Sequence, residues 1–303
     1  MRRGRVGGAG RATPRWVTSA GAEAEVAAGG PRAPTCTAMD MDVAPGSVVE
    51  PGWLLSPEGR QHRDAILRKG RRRLFGLLER PALPPALAAA PAAYKLFVSG
   101  KSGVGKTALV AALAGAEGPA GHHETLGIQA TTVYWPAKVR DAGRPVLFQL
   151  DFWDCGETAL KKFDHILPAC KEEADGVLFL FSFTDRCSFE DLPGQVARVT
   201  RPEENLVRVV VGTKFDLSPQ ADVTERDVAA FERAWRLPVL RASGAPRARG
   251  RRGRGDAGAR AELARVAPLL DALAERLWRR DQLAAGLLPA GSPSPPPQAS
   301  PTQ

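Results

Sequence analysis

Apolar residues fall into short runs along the chain, and from residue 94 onward these runs alternate between two kinds. Residues 94–99, 176–181 and 206–211 are continuous apolar stretches of strand length, the pattern expected of strands covered on both faces. Residues 131–135 and 146–153 are two further strand-like runs, and Asp141, Ala142 and Gly143 between them predict a hairpin. Residues 237–242 give a last short strand. Helix-forming segments separate them: 108–114, closed by Gly115; one ending at Cys170; one near 188–199; one capped by Thr224 and running to Trp235; and an amphipathic helix over 261–280. This alternation predicts an α/β domain with an open, mostly parallel six-stranded sheet flanked by helices, its ligand at the carboxyl ends of the strands.

The flanks read differently. Residues 1–45 are rich in Gly, Ala, Arg and Pro, lack periodicity and are expected to be disordered. They hold no apolar core for a signal peptide, and Met39 and Met41 offer alternative starts. Residues 46–91 form an amphipathic segment and linker. Ser56 and Pro57 are a helix-start signal, Ile66, Leu67, Leu74 and Phe75 supply apolar positions, and a basic cluster runs from Arg68 to Arg73. That segment is either a helix packed on the following domain or a basic contact for a partner or anionic membrane. An Ala/Pro linker from Pro81 to Pro91 leads into the main domain, 92–285, which carries an Arg-rich insertion over 244–260; residues 286–303 are a Pro/Ser-rich tail expected to be disordered.

Charge changes this picture little. The chain has 303 residues and a net charge of +9, but the surplus sits in residues 1–38 and 241–260, leaving the rest near neutrality. Basic segments outside the predicted fold suit peripheral contact with a membrane or an acidic protein; a nucleic-acid partner is not expected. No apolar run is long enough to span a bilayer, so a soluble protein is expected. The four cysteines, Cys36, Cys155, Cys170 and Cys187, show neither paired nor metal-ligand spacing and read as reduced thiols.

The chemistry concentrates between the first strand and the first helix. Gly100, Lys101, Ser102, Gly103, Val104, Gly105, Lys106 and Thr107 fit the Gly-x-x-x-x-Gly-Lys-Thr phosphate-binding loop, with a strand before it and a helix from Ala108 after it. The glycines let backbone N–H groups turn inward toward phosphate oxygens, and the helix dipole points to the same place. Lys106 would reach the β- and γ-phosphates and the Thr107 hydroxyl would ligate Mg²⁺. The loop calls for a nucleoside triphosphate without naming the base.

Thr213, Lys214 and Asp216 close a buried strand and resemble the Asn/Thr-Lys-x-Asp motif of Ras-like and Rab-like small GTPases. A carboxylate there accepts from guanine N1–H and the 2-amino group, donors that adenine lacks, so GTP or GDP is expected. By the same resemblance Thr125, 18 residues after Thr107, matches the switch I threonine that senses Mg²⁺ and the γ-phosphate. Trp153, Asp154, Gly156 and Glu157 resemble switch II: Asp154 would hold Mg²⁺ through water and Gly156 would donate to the γ-phosphate. The implied site is therefore Gly100 to Ala108, Thr125, Gly156, Thr213, Lys214, Asp216 and Ser243 for the nucleotide; Thr107, Thr125 and Asp154 for the metal; and Gly156 with Glu157 for catalysis. The fold implied is the P-loop Ras-like G domain.

The sequence departs from that family in places. One residue fewer separates Asp154 from Gly156, and Glu157 replaces the glutamine that orients the attacking water, so slow hydrolysis is expected. Ala242, Ser243 and Gly244 stand where Ser-Ala-Lys usually braces the base. The chain ends Ser300-Pro301-Thr302-Gln303 without a CaaX cysteine, so no prenyl anchor is expected. The wording of residues 45–49, 71–81, 153–157 and 181–185 resembles the Rem- and Rab-like small GTPases of the ciliogenesis and planar-polarity effector group. That resemblance implies a cytoplasmic switch in ciliogenesis and vesicle traffic at the cytoskeleton and ciliary basal body, beside Fuzzy- and Inturned-type partners. Two alternatives remain: a GTP-bound scaffold that does not cycle, and a P-loop ATPase or kinase, against which Asp216 speaks.

Overall fold

A computed structural model of the chain describes residues 47–67, 91–116, 125, 127–140, 145–156, 166–201, 203–244 and 256–288. The expected extension 1–45, residues 289–303 of the expected tail 286–303, the basic cluster Arg68–Arg73, the linker over 81–90, Glu157 and most of the Arg-rich insertion lie outside the described residues; residues 286–288 of that tail instead form a turn on the last helix.

Six strands form one sheet: β1 (Ala92–Gly100), β2 (Ile128–Lys138), β3 (Pro145–Cys155), β4 (Gly176–Ser182), β5 (Val207–Thr213) and β6 (Val239–Arg241), in spatial order β2-β3-β1-β4-β5-β6. β2 and β3 pair antiparallel, as the hairpin signal predicts, and every other pairing is parallel. The α/β expectation therefore holds. Strand side chains alternate between faces. Leu96, Val98, Leu178 and Leu180 pack with one apolar cluster, which takes in Leu109, Val110 and Leu113 of α2 (Lys106–Leu113). Phe97, Val177, Phe179 and Phe181 pack with the other, where they meet Cys170 of α3 (Ile166–Lys171).

The predicted helix at 188–199 is two helices, α4 (Arg186–Glu190) and α5 (Leu192–Val199). Asp185 caps the first by accepting from the Ser188 N–H. Pro193, in the first turn of the second, has no N–H to continue a helix from upstream. α6 (Glu225–Trp235) starts with the expected Thr224, whose side chain forms a capping box with Asp227. α7 (Asp256–Ala284) overruns the expected 261–280 at both ends, and its apolar stripe of Leu263, Leu270, Leu273 and Leu277 covers the α2 face of the sheet.

The N-terminal segment packs on the domain in a way its Pro- and Gly-bearing sequence concealed. Val48, Val49, Trp53 and Leu54 are buried in the same cluster as α7. Val49 bridges antiparallel to Val139, with Glu50 N–H donating to Lys138 O and Arg140 N–H to Val48 O, each at 2.9 Å. Two acids one helical turn apart on α7 hold this strap: Glu275 accepts from Ser47 Oγ and the Val48 and Val49 N–H groups, and Asp271 accepts from Gly52 N–H and Trp135 Nε1 at 2.8 Å. The strap leads into α1 (Pro57–Leu67). Gly59 there lies against Trp53; a Cβ at 59 would stand 2.1 Å from the Trp53 carbonyl oxygen. Packing on the domain is seen for Trp53 and Leu54, while the basic cluster on which the other expectation rests lies outside the described residues. Among the described residues no helix is long and apolar enough to cross a membrane.

Candidate functional site

Strand register brings the chemistry to one edge of the sheet. Gly100 ends β1; Asp154, near the end of β3, lies in register two residues past Phe152 and beside Val98; Thr213 ends β5 beside Ser182 of β4. Because these strands are parallel, their carboxyl ends share an edge. β2 runs antiparallel to β3, so its start at Ile128 pairs with Cys155, and Thr125 arrives at the same edge.

The loop between β1 and α2 turns through two glycines of positive φ, Gly103 and Gly105. Gly105 is the N-cap of α2 at φ 98°, a backbone geometry that favours glycine, and no side chain caps the helix there. The start of α2 therefore faces the loop without a side-chain cap, the arrangement in which a helix N-terminus can meet an anion. Lys106 is buried, and its Nζ donates to the Gly100 and Lys101 carbonyls at 2.9 Å. Lys101 lies outside this cradle, paired with Asp191 at 2.9 Å. Ala108 is exposed on the first turn of α2.

The three expected metal residues meet. Thr107 Oγ1 donates to Asp154 Oδ2 at 2.5 Å and stands 2.9 Å from Thr125 Oγ1, which lies 3.3 Å from the same carboxylate oxygen. Asp154 is 1% exposed, and its Oδ1 has no hydrogen-bond partner among the described residues. Two hydroxyls and a carboxylate are hard oxygen donors, and an open buried carboxylate oxygen suits an ion that keeps its waters, so this set fits Mg²⁺. Gly156 is buried and its N–H reaches the Gly127 carbonyl at 3.3 Å, joining the two segments that carry Thr125 and Asp154.

The base motif is tied to the same loop. The Thr213 hydroxyl lies within hydrogen-bond distance of the Val104 and Phe181 carbonyls, and Lys214, at φ 57°, lays its side chain across to donate from Nζ to Gly103 O at 3.1 Å. Asp216 Oδ1 accepts the Gly244 N–H at 2.6 Å. The Gly244 carbonyl in turn accepts from Arg265 of α7 at 3.0 Å. Ser243 is exposed beside it. The segment after β6 therefore braces Asp216 through backbone that carries no residue-type signature. A second feature escaped the sequence pattern: Cys155 and Cys170 are buried with their sulfurs 3.0 Å apart. Their shared hydrogen bond holds the Cys170 thiol below its ordinary range and, together with burial, pushes Cys155 well above it.

Comparison with known proteins agrees with this geometry. The family model described as Ras family matches residues 95–249. "Ciliogenesis and planar polarity effector 2" of Homo sapiens is 58% identical over 257 residues, covering 85% of this chain and 97% of the relative. The Danio rerio protein of that name is 49% identical, covering 81% and 92%. "GTP-binding protein REM 2" of Rattus norvegicus is 30% identical over 141 residues, 46% of this chain and 39% of the relative.

Proposed function

The chain belongs to the Ras family, and on that premise we propose that it is a guanine-nucleotide switch that binds GTP or GDP with Mg²⁺ and recruits partners in ciliogenesis. The observation that carries this reading is the meeting of Thr107, Thr125 and Asp154 beside the phosphate-binding loop, with one Asp154 oxygen left open. Thr107 and Thr125 offer hydroxyls to the ion and Asp154 holds its water. Mg²⁺ held there would supply positive charge against the phosphates. The backbone at the start of α2 and the ammonium of Lys106 would bind the phosphates. Asp216, positioned by Gly244, accepts from guanine. Thr125 and Gly156 sit on the segments that a γ-phosphate would order, and a partner reads that ordered surface.

Slow turnover follows from Glu157, a carboxylate that repels γ-phosphate oxygens and positions water poorly. The names of the near-full-length relatives support a role in ciliogenesis and planar polarity. We extend that role to Fuzzy- and Inturned-type partners at the ciliary basal body, as the family resemblance implies. The non-cycling scaffold is the second reading, favoured by the Gly156 N–H being engaged with Gly127. Complex assembly undiminished in Lys106→Ala, with nucleotide binding lost, would select it.

The experiment for the base pocket is a competition between GTP, ATP and XTP. Asp216→Asn is expected to weaken GTP by roughly a hundredfold or more and to admit XTP, whose 2-oxo group pairs with the new amide. An unchanged preference for GTP would remove Asp216 from the pocket.

A further inference from the structure

We propose that Cys155 and Cys170 are a redox pair that closes to a reversible disulfide, joining the stretch after Asp154 to helix α3. Both thiols are fully enclosed in the apolar cluster of Phe97, Val177 and Phe179, and their sulfurs lie 3.0 Å apart. A disulfide needs about 2.05 Å, so the sulfurs must close by roughly a further ångström. Cys187 is exposed on α4 and takes no part in this contact. Lys95 places a positive charge on the Cys170 side: its Nζ donates to the Glu172 carbonyl at 2.6 Å and stands 4.1 Å from the centre of the Trp153 ring. An ammonium near a thiol favours the thiolate, the form that attacks.

The oxidant is a peroxide. The Cys170 thiolate attacks one oxygen of hydrogen peroxide, the O–O bond breaks, and the departing hydroxide takes a proton to leave as water. Cys170 is then a sulfenic acid. Cys155 gives up its proton and attacks that sulfur; the S–O bond breaks and a second water leaves. Two electrons pass from the sulfurs to the peroxide oxygens, and a dithiol such as dithiothreitol returns them. Local opening admits a molecule of this size to a buried pair.

The bond closes a ring from Cys155 to Cys170 that contains Gly156 and Glu157. It would tether both ends of the segment that answers to the γ-phosphate. That consequence rests on the switch reading above; the bond itself does not.

The test uses the full chain. Protein treated with hydrogen peroxide is alkylated, digested without reductant and mapped by mass spectrometry. A linked peptide pair holding Cys155 and Cys170, lost on reduction and absent from Cys170→Ser, is the expected result. Separate alkylated Cys155 and Cys170 peptides after peroxide has oxidised Cys187, or a link running to Cys187, would overturn the pair. Release of a fluorescent GDP analogue is then timed for oxidised and reduced protein. Oxidation is expected to slow it by roughly fivefold in the wild type and not at all in Cys170→Ser. A linked pair with unchanged release would refute the tether while the bond stands. A chain that takes up no nucleotide would instead overturn the switch reading.

Discussion

Asp154 is a buried carboxyl group whose two oxygens live in different surroundings. One is held by Thr107 and lies near Thr125; the other faces no donor among the described residues. An ionised carboxylate in that position costs several kcal/mol unless a cation completes it. Asp154→Asn keeps an acceptor for Thr107 and removes the charge. Nucleotide-free protein carrying it is expected to match or exceed the wild type by about 1 kcal/mol in thermal melting. Its GTP affinity should lose at least about tenfold of its Mg²⁺ dependence, or ~1.4 kcal/mol. A large fall in the nucleotide-free melting point would instead make Asp154 a structural anchor. At this scale the sequence was informative wherever side-chain type carries the chemistry: Lys106, Thr107, Asp154 and Asp216 announce themselves by identity and spacing. Gly244 does not, because it acts through a backbone N–H that any residue possesses. Cys155 and Cys170 do not, because only tertiary packing brings residues so placed together.

The strands and helices were legible for a related reason: burial on two faces leaves continuous apolar runs, and α6 begins with a cap pair that local sequence shows. The strap over residues 47–55 was not, since its partners are two acids on a helix more than two hundred residues later. An Asp-Glu pair at four-residue spacing inside the apolar stripe of α7 was the available signal. Glu275→Ala strands the Val48 and Val49 N–H groups, while the Ser47 hydroxyl keeps the Val49 carbonyl as its acceptor. The expected cost is about 2–3 kcal/mol, read as a lower midpoint in denaturant, whereas Ser47→Ala should stay within about 1 kcal/mol. Asp271 adds a pH dependence. Burial lifts its carboxyl from 3.8 to about 6, although the Gly52 N–H and Trp135 Nε1 bonds pull the other way. The folded form therefore takes up this proton at higher pH than the unfolded chain. Its contribution to stability is full below about pH 4 and declines as pH rises through 6, by roughly 3 kcal/mol in all. Asp271→Asn should flatten that part of the stability profile; an identical slope would show the group titrates normally.

Across the whole molecule, the sheet separates two tasks. Its carboxyl edge gathers the phosphate loop, Thr125, Asp154 and the base motif, while the far end of β2 takes the strap. Nucleotide bound at that edge would stabilise the entire folded chain by mass action, by about 4 kcal/mol at a thousandfold excess over Kd. GTP with Mg²⁺ should therefore raise the melting temperature in a concentration-dependent way, and ATP at the same concentration should not. The most direct measurement is to purify the chain, denature it and identify the released nucleotide by chromatography, then add GTP with Mg²⁺ to fresh protein and follow conversion. Guanine nucleotide in the pocket with slow production of GDP is the predicted result. An empty pocket, or one holding adenine nucleotide, would contradict the assignment of this site.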